Sequence, residues 1–288
     1  LALARCKVLT FDWNKEQIRI KDLIGQPKSV MKFDGDSSQL SQLCKVVRED
    51  EDRRVKKHFW GTNSCNNYAQ HPDHSAYFIN YYSNEGDLIL DCFAGSGTNV
   101  LVGAALNRRV VAYDLSPQNL DSMRSACLEH TEIKQEDLTL HHSDGVELAE
   151  YSDQENIFDL ATFDPPFIMQ AESYGDDPRD LCNIKDLDEF NAKLETCMKN
   201  VKRLIKPSNW EKKEFHPIVI KVGSARRNGN LIDMATEVEI IGRRLGLKLH
   251  DKVINILDSY WAMFNVSRCI DHKYSVKVHE TNLIFTKY

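Results

Sequence analysis

Residues 88–98 read Leu88-Ile89-Leu90-Asp91-Cys92-Phe93-Ala94-Gly95-Ser96-Gly97-Thr98. A short apolar run stops at an acidic residue and turns through Gly-x-Gly into a segment of helical character. In open α/β sheets ligands bind beyond the carboxyl ends of the strands, and glycines there let the backbone approach them. Val110-Val111-Ala112-Tyr113 repeats the apolar run and ends at Asp114, 23 residues after Asp91. A carboxylate about 20 residues past such a turn is where these folds hydrogen-bond a ribose diol. The turn lacks the Lys-Ser/Thr pair of a triphosphate loop, and Val100 stands where a dinucleotide fingerprint has its third small residue.

Outward from this stretch the hydrophobic period alternates between strand and helix. The pattern predicts strands at 88–91, 109–113, 138–141, 159–163, 218–222, 247–257 and 282–286. Helices are expected from Asp73 or Ser75 to Tyr82 and at 98–107, 117–130, 187–205 and 230–245, with a helical turn at 146–151. Such alternation implies a doubly wound, mostly parallel seven-stranded α/β sheet with helices on both faces. No helix is evident between the last two strands, so they are expected to form an antiparallel hairpin at the sheet edge. Residues 61–288 are read as one catalytic domain. Residues 1–60 are read as an N-terminal extension of unknown role, with a predicted helix over 39–51.

The second informative stretch is Phe163-Asp164-Pro165-Pro166-Phe167, at the end of an apolar strand. Consecutive prolines fix φ and hold the preceding residue extended, so the Asp164 carboxylate and the neighbouring carbonyl are pinned. An exocyclic amine of a nucleobase is a poor nucleophile because its lone pair is delocalised into the ring. A carboxylate and a backbone carbonyl that accept its two N–H bonds favour the tetrahedral nitrogen that attacks. Phe167 offers a face on which an extruded base stacks.

Asp91-x-Phe93-x-Gly95-x-Gly97-Thr98, Asp114 and Asp164-Pro165-Pro166-Phe167 together resemble the S-adenosylmethionine-dependent amino-methyltransferases of DNA, the N6-adenine and N4-cytosine group. His71-Pro72 and Gly86-Asp87 upstream, with Asn107-Arg108-Arg109 and His279 to Lys287 downstream, are similar to segments of that group. The resemblance covers roughly residues 60–288 and implies a Rossmann-like fold. It further implies that Asp91, Phe93, Ala94, Gly95, Gly97 and Thr98 line the methionine part of S-adenosylmethionine and that Asp114 holds the ribose. Asp144 or Gly145 would sit near the adenine, and Asp164, Pro165, Pro166 and Phe167 would serve the target base. The implied reaction is methylation of an exocyclic amine, adenine N6 in DNA being favoured by an aspartate at 164, without metal; restriction-modification is one setting for it. Two departures stand out. His74-Ser75 replaces the Lys-Pro that often follows the family's His-Pro, and a target-recognition insert is not evident. Residues 1–60, 173–186 and 257–277 are the candidates for that insert.

Composition bounds the rest. With 42% hydrophobic and 28% charged residues the chain is globular, and no apolar run approaches the length of a membrane span. Eight cysteines without a C-x-x-C pair read as reduced intracellular thiols rather than a zinc site. Net charge is −6, unlike the basic footprint of a free-standing DNA binder, so a protein partner or homodimer is expected to help with recognition. Positive charge is clustered at Arg53 to His58, Lys212-Lys213, Arg226-Arg227 and Arg243-Arg244; clusters that converge would form a phosphate track. His141-His142 reads as a strand-end pair, Tyr260 to Phe264 with Tyr274 as core packing, a base-stacking rim or a protein interface, and Ser173 to Pro178 as either a loop that closes on substrate or a passive surface loop. Two other functions remain open at this point: the same chemistry on tRNA or rRNA, and a non-catalytic methyltransferase-fold subunit of a complex.

Overall fold

The computed structural model describes residues 30–32, 72–166, 168, 177–227, 229–256, 266–275 and 279–288. The apolar runs become β2 (Leu88–Asp91), β3 (Arg109–Asp114), β4 (Leu138–His142), β5 (Leu160–Phe163), β6 (Ile218–Val222), β9 (Lys248–Ile256) and β10 (His279–Thr286). They form one sheet in the order β4-β3-β2-β5-β6-β10-β9, and β1 (Val30–Lys32) continues it beyond β9. Strand β10 runs antiparallel to both neighbours; every other pairing in the sheet is parallel.

Helices cover both faces, which is why the central strands are apolar at consecutive rather than alternate positions. Leu90, Val111, Ile220 and Phe285 face a core shared with α4 (Leu187–Leu204) and α5 (Met234–Arg244). Ile89, Val110, Val219 and Ile284, their neighbours in sequence, face the opposite core. That second core is filled by α1 (Pro72–Tyr82), α2 (Thr98–Ala105) and α3 (Pro117–His130). Caps set where helices begin. Ser116 accepts from the Asn119 N–H with Pro117 at the first helical position, and Asp186 accepts from the Glu189 N–H to open α4. Each such cap is worth about 1 kcal/mol. Helix α4 then buries Phe190, Leu194, Met198 and Val201 along one stripe, at about 1.5–3 kcal/mol for each large apolar side chain.

Several expectations are revised. The sheet has an eighth strand, because residues 30–32 pair with Ile254 to Ile256 of β9. The β9–β10 pair is antiparallel and lies toward one edge of the sheet, as expected, with β10 next to β6 and only β1 beyond β9. The segment expected to open a helix at 230 is instead the second arm of a small hairpin, β7 (Ala225–Arg227) with β8 (Asn230–Ile232). Gly229 at φ +83° supplies its left-handed turn. A short helix, α6 (Val266–Asp271), lies in the span between β9 and β10, and only a 3-10 turn, Ala149–Tyr151, forms in the 146–151 region.

Sheet order reverses between β2 and β5: β3 follows on one side of β2, while β5 lies on the other. This is the topological switch point, where the loops leaving two parallel strands diverge and open a crevice. The Gly-x-Gly turn leaves β2 there and Asp164-Pro165-Pro166 leaves β5. Both motifs share one edge.

Candidate active site

On the β2 side the chain is held by hydrogen bonds to its own backbone. The Asp91 carboxylate is buried and accepts from the Phe93 N–H at 3.1 Å and from Asn99 Nδ2 at 3.1 Å. Asn99 Nδ2 also reaches the Thr162 carbonyl at 3.5 Å, linking the ends of β2 and β5. The Phe93 and Phe163 rings meet edge to face at 5.9 Å across the same gap. Burial pushes Asp91 up to about 7, its hydrogen bonds oppose this, and the negative charges of Asp164 and Asp114 add to it.

The glycine turn is tied to β3. The Ala94 N–H donates to the Tyr113 carbonyl at 2.9 Å, and the Gly97 N–H donates to the Ala94 carbonyl at 2.7 Å. Gly97 adopts φ +80° just before α2, and a Cβ there would lie 2.5 Å from Met123 Cγ. The Gly95 N–H donates to Asp114 Oδ2 at 2.8 Å, while Asp114 Oδ1 accepts from the Ser116 N–H at 2.8 Å and Asn119 Nδ2 at 3.2 Å. A carboxylate has about four acceptor positions, so three are used and one is left for a ligand hydroxyl. Burial pushes Asp114 up to about 6. Thr98 starts α2, and its buried hydroxyl has no partner among the described residues.

Asp144 Oδ1 accepts from the Val146 N–H at 2.9 Å, so this carboxylate shapes its own turn. Gly145 beside it presses on the β2 end: a Cβ would lie 1.8 Å from the Cys92 carbonyl oxygen. Arg179 and Asp180 are close enough to this region to be felt electrostatically. Asp180 adds to the negative field at Asp114, and Arg179, paired with Asp177 at 2.7 Å, feels Asp144.

On the β5 side the chemistry is ionic. Asp164 Oδ2 lies 2.6 Å from Lys221 Nζ, and the same ammonium lies 3.5 Å from Glu280 Oε2. Lys221 is 5% exposed in the middle of the sheet. Asp164 Oδ1 is buried and has no hydrogen-bond partner among the described residues. Burial pushes Asp164 up to about 6; Lys221 pulls it down and Glu280 pushes it up. For Lys221 burial acts downward, and the two carboxylates more than offset it, leaving the ammonium held above its usual value. Pro165 and Pro166, with Val222, Gly223 and Met234, line a small gap beneath the turn.

The sequence therefore brought Asp91, Phe93, Ala94, Gly95, Gly97, Thr98, Asp114, Asp144, Asp164, Pro165 and Pro166 to one edge, and Phe167 lies outside the described residues. Residues 173–176, 260–264 and the basic run 53–58 also lie outside them. Asn99, Lys221 and Glu280 were not singled out as site residues, though a lysine inside the apolar run Ile218-Val219-Ile220-Lys221-Val222 was a visible signal. Among the described residues no cluster of three His, Cys, Asp or Glu is arranged to hold a metal ion, and His142 Nε2 is taken by the Leu115 carbonyl at 3.0 Å. Arg243 and Arg244 face Glu239 and Glu195, so these two basic residues are already paired. Arg226 and Arg227 lie on the hairpin that follows β6. Arg226 sits 4.3 Å over the Tyr274 ring, and Arg227 donates to the Lys185 carbonyl.

The site as a whole favours a cation. Asp91, Asp114 and Asp164 are each held above the usual carboxylate range by burial, and a positively charged ligand relieves that cost. An anionic phosphate at this edge meets the same carboxylates unfavourably. A ligand that combines a ribose diol with positive charge fits the glycine turn, the Thr98 hydroxyl and the acidic rim.

A family model described as DNA methylase, of the N6/N4 methyltransferase type, matches residues 8–125; it takes in the glycine turn and Asp114 and ends before Asp164. No curated protein sequence matches the chain. Among solved structures, the [4+2]-cyclase SpnF is 13% identical, with 86% of this chain and 94% of that chain covered and a TM-score of 0.50. The Burkholderia thailandensis 1,6-didemethyltoxoflavin-N1-methyltransferase, solved with S-adenosylhomocysteine, is 15% identical over 88% of this chain and 93% of that one, TM-score 0.48. Thermus thermophilus TrmN is 15% identical over 75% of this chain, TM-score 0.47, and the match spans 49% of TrmN's length. At such identities the likeness to the cyclase is one of fold.

Proposed function

With residues 8–125 carrying the pattern of the N6-adenine and N4-cytosine amino-methyltransferases of DNA, we propose that this chain methylates an exocyclic amino group of a nucleobase, adenine N6 in DNA. The observation that carries the proposal is the shared edge: a cation-favouring glycine turn and a rigid Asp-Pro-Pro carboxylate leave adjacent parallel strands at the switch point. S-adenosylmethionine fits the first half, since it brings a ribose diol and an electrophilic methyl group on a positively charged sulfur. When it is bound, Asp91 would offset its positive charge, the Asp114 position left open would hold a ribose hydroxyl, and the Thr98 hydroxyl would be available as a partner.

Asp164 Oδ1, buried and unpartnered, accepts one N–H of the target amine, and the Pro165 carbonyl accepts the other. Both bonds draw the nitrogen toward tetrahedral geometry and free its lone pair. S-adenosylmethionine, when bound, would supply the methyl group and leave with the C–S electron pair on its sulfur as the N–C bond forms. Asp164 then takes the proton that nitrogen releases. Phe167 supplies the stacking face for the extruded base.

Replacing Asp164 with Ala is expected to lower methylation by at least about 10²-fold, while calorimetry still shows cofactor binding. Tritiated methyl transfer onto duplex DNA, single-stranded DNA, tRNA and rRNA identifies the substrate. Incorporation into RNA alone would reject the DNA reading, and absence of cofactor binding would favour a non-catalytic subunit.

A further inference from the structure

The catalytic carboxylate does not stand alone in its pocket, and the way it is held has a consequence for the reaction. Strand β6 pairs with β10 so that Lys221 lies opposite Asn282, and Glu280, two residues along β10, shares that face. It is the face of Val219 and Ile284, which pack in the core shared with α1 and α2, and Lys221 itself is buried. Its charged neighbours are Asp164 at 2.6 Å and Glu280 at 3.5 Å. From β2, the negative charge of Asp91 also couples to Asp164. Asn282, fully buried, donates Nδ2 to the Val253 carbonyl at 3.4 Å and so is neutral packing beside the triad.

Resting on the function proposed above, we propose that Lys221 and Glu280 are positioning residues for methyl transfer. Lys221 anchors Oδ2 of Asp164 so that Oδ1 is presented ionised to the target amine, and Glu280 keeps the ammonium from neutralising that carboxylate. Two carboxylates around one ammonium leave a net negative charge. A single Asp–Lys pair would be neutral and would hold its acceptor less available to an incoming N–H. Without the lysine, two buried carboxylates would face each other and one would take a proton. A protonated Asp164 is a donor on one oxygen and loses the basicity the amine needs. The triad thus sets both the direction and the charge of the reacting oxygen.

The two residues push Asp164 in opposite directions, which separates this role from plain structural support. The rate of methyl transfer is measured from about pH 5 to pH 9 for the full chain, Lys221→Met, Lys221→Arg and Glu280→Gln. The acidic limb of kcat is expected to rise by about 1 to 3 pH units in Lys221→Met, to return toward the parent in Lys221→Arg, and to fall in Glu280→Gln. Affinity for S-adenosylhomocysteine, read by calorimetry, should hold in Glu280→Gln. Limbs that coincide in all proteins overturn the inference. Where Lys221→Met does not fold, Glu280→Gln decides by itself: a lowered limb sustains the inference and an unmoved one rejects it. If the parent methylates no nucleobase amine, the proposed function fails separately. The Asp164 carboxyl, labelled with carbon-13 and assigned by its loss in Asp164→Asn, then tests the triad directly through its titration. Opposite shifts in the two variants uphold the triad, and no shift refutes it.

Discussion

Asp91 and Asp164 end neighbouring parallel strands, both are buried, and they are held by opposite means. Asp91 has neutral partners, a backbone N–H and a carboxamide, and burial carries it to about 7. Asp164 has an ammonium on one oxygen and no described partner on the other, and it rests near 6 with Glu280 opposing Lys221. Neutral hydrogen bonds orient a carboxylate but leave its charge uncompensated, so the β2 side waits for a cationic ligand. A buried ammonium shared with Glu280 offsets only part of the charge and anchors one oxygen, so the β5 side keeps a fixed acceptor whether or not a ligand is present. Under the proposed function, cofactor binding and base chemistry make different demands on the same kind of side chain, one strand apart.

The largest expected effect comes from breaking the β2 side at Gly145. A methyl group there would sit 1.8 Å from the Cys92 carbonyl oxygen, which is backbone and cannot rotate away. Gly145→Ala is expected to destabilise the protein by about 3 kcal/mol or more, read from urea unfolding, and to abolish cofactor binding. The contrast is Gly97, where the obstructing atom belongs to the flexible Met123 side chain. Gly97→Ala should cost less, on the order of 1–2 kcal/mol. Equal losses at the two positions would show that the Gly145–Cys92 contact is not what fixes the turn.

A second test isolates the uncompensated charge. Because the folded state holds Asp91 near 7, it keeps a proton that the unfolded chain has released above about pH 4. That stabilisation is fully present below the unfolded value and is lost as pH rises through about 7. Asp91's share of the fall between pH 5 and pH 8 is on the order of 2–3 kcal/mol. Asp114 and Asp164 act in the same direction. In Asp91→Asn the difference between the two pH values should narrow, as urea midpoints without ligand would reveal. A profile as steep as the parent's would mean that Asp91 is not the group responsible.

Much of this was legible from residues because the signals are local. Leu88 to Asp91 and Val110 to Asp114 announce strands whose both faces are covered, and Pro165-Pro166 fixes its own backbone without help from the fold. The order of strands is different in kind: nothing in Asn282 to Phe285 says that β10 lies between β6 and β9, since that follows from which neighbours bury those side chains. The β7–β8 hairpin had a signal, Asn228-Gly229, that a helical pattern starting at Asn230 overrode. Lys221 was visible as a charge in an apolar strand, but its partner Glu280 lies 59 residues on and is brought to it only by the register of β10 on β6. Pairing across a sheet is where single-sequence reasoning ended.

The smallest effect expected is at the hairpin that hangs from the β5 side. Arg226 and Arg227 follow β6 directly, next to Gly223 beneath the Pro165-Pro166 turn, and their described partners are backbone carbonyls and the Tyr274 ring, not carboxylates. Arg243 and Arg244 on α5 are equally basic but face Glu239 and Glu195. If the hairpin touches the phosphates of a bound duplex, Arg226→Ala with Arg227→Ala should lower the slope of log affinity against log salt by about 2. Affinity for S-adenosylhomocysteine should not change, because the hairpin lies on the reaction side of the crevice. The paired arginines serve as the control, and their removal should leave the slope where it was. An unaltered slope in the hairpin variant would move the phosphate contact to another part of the molecule.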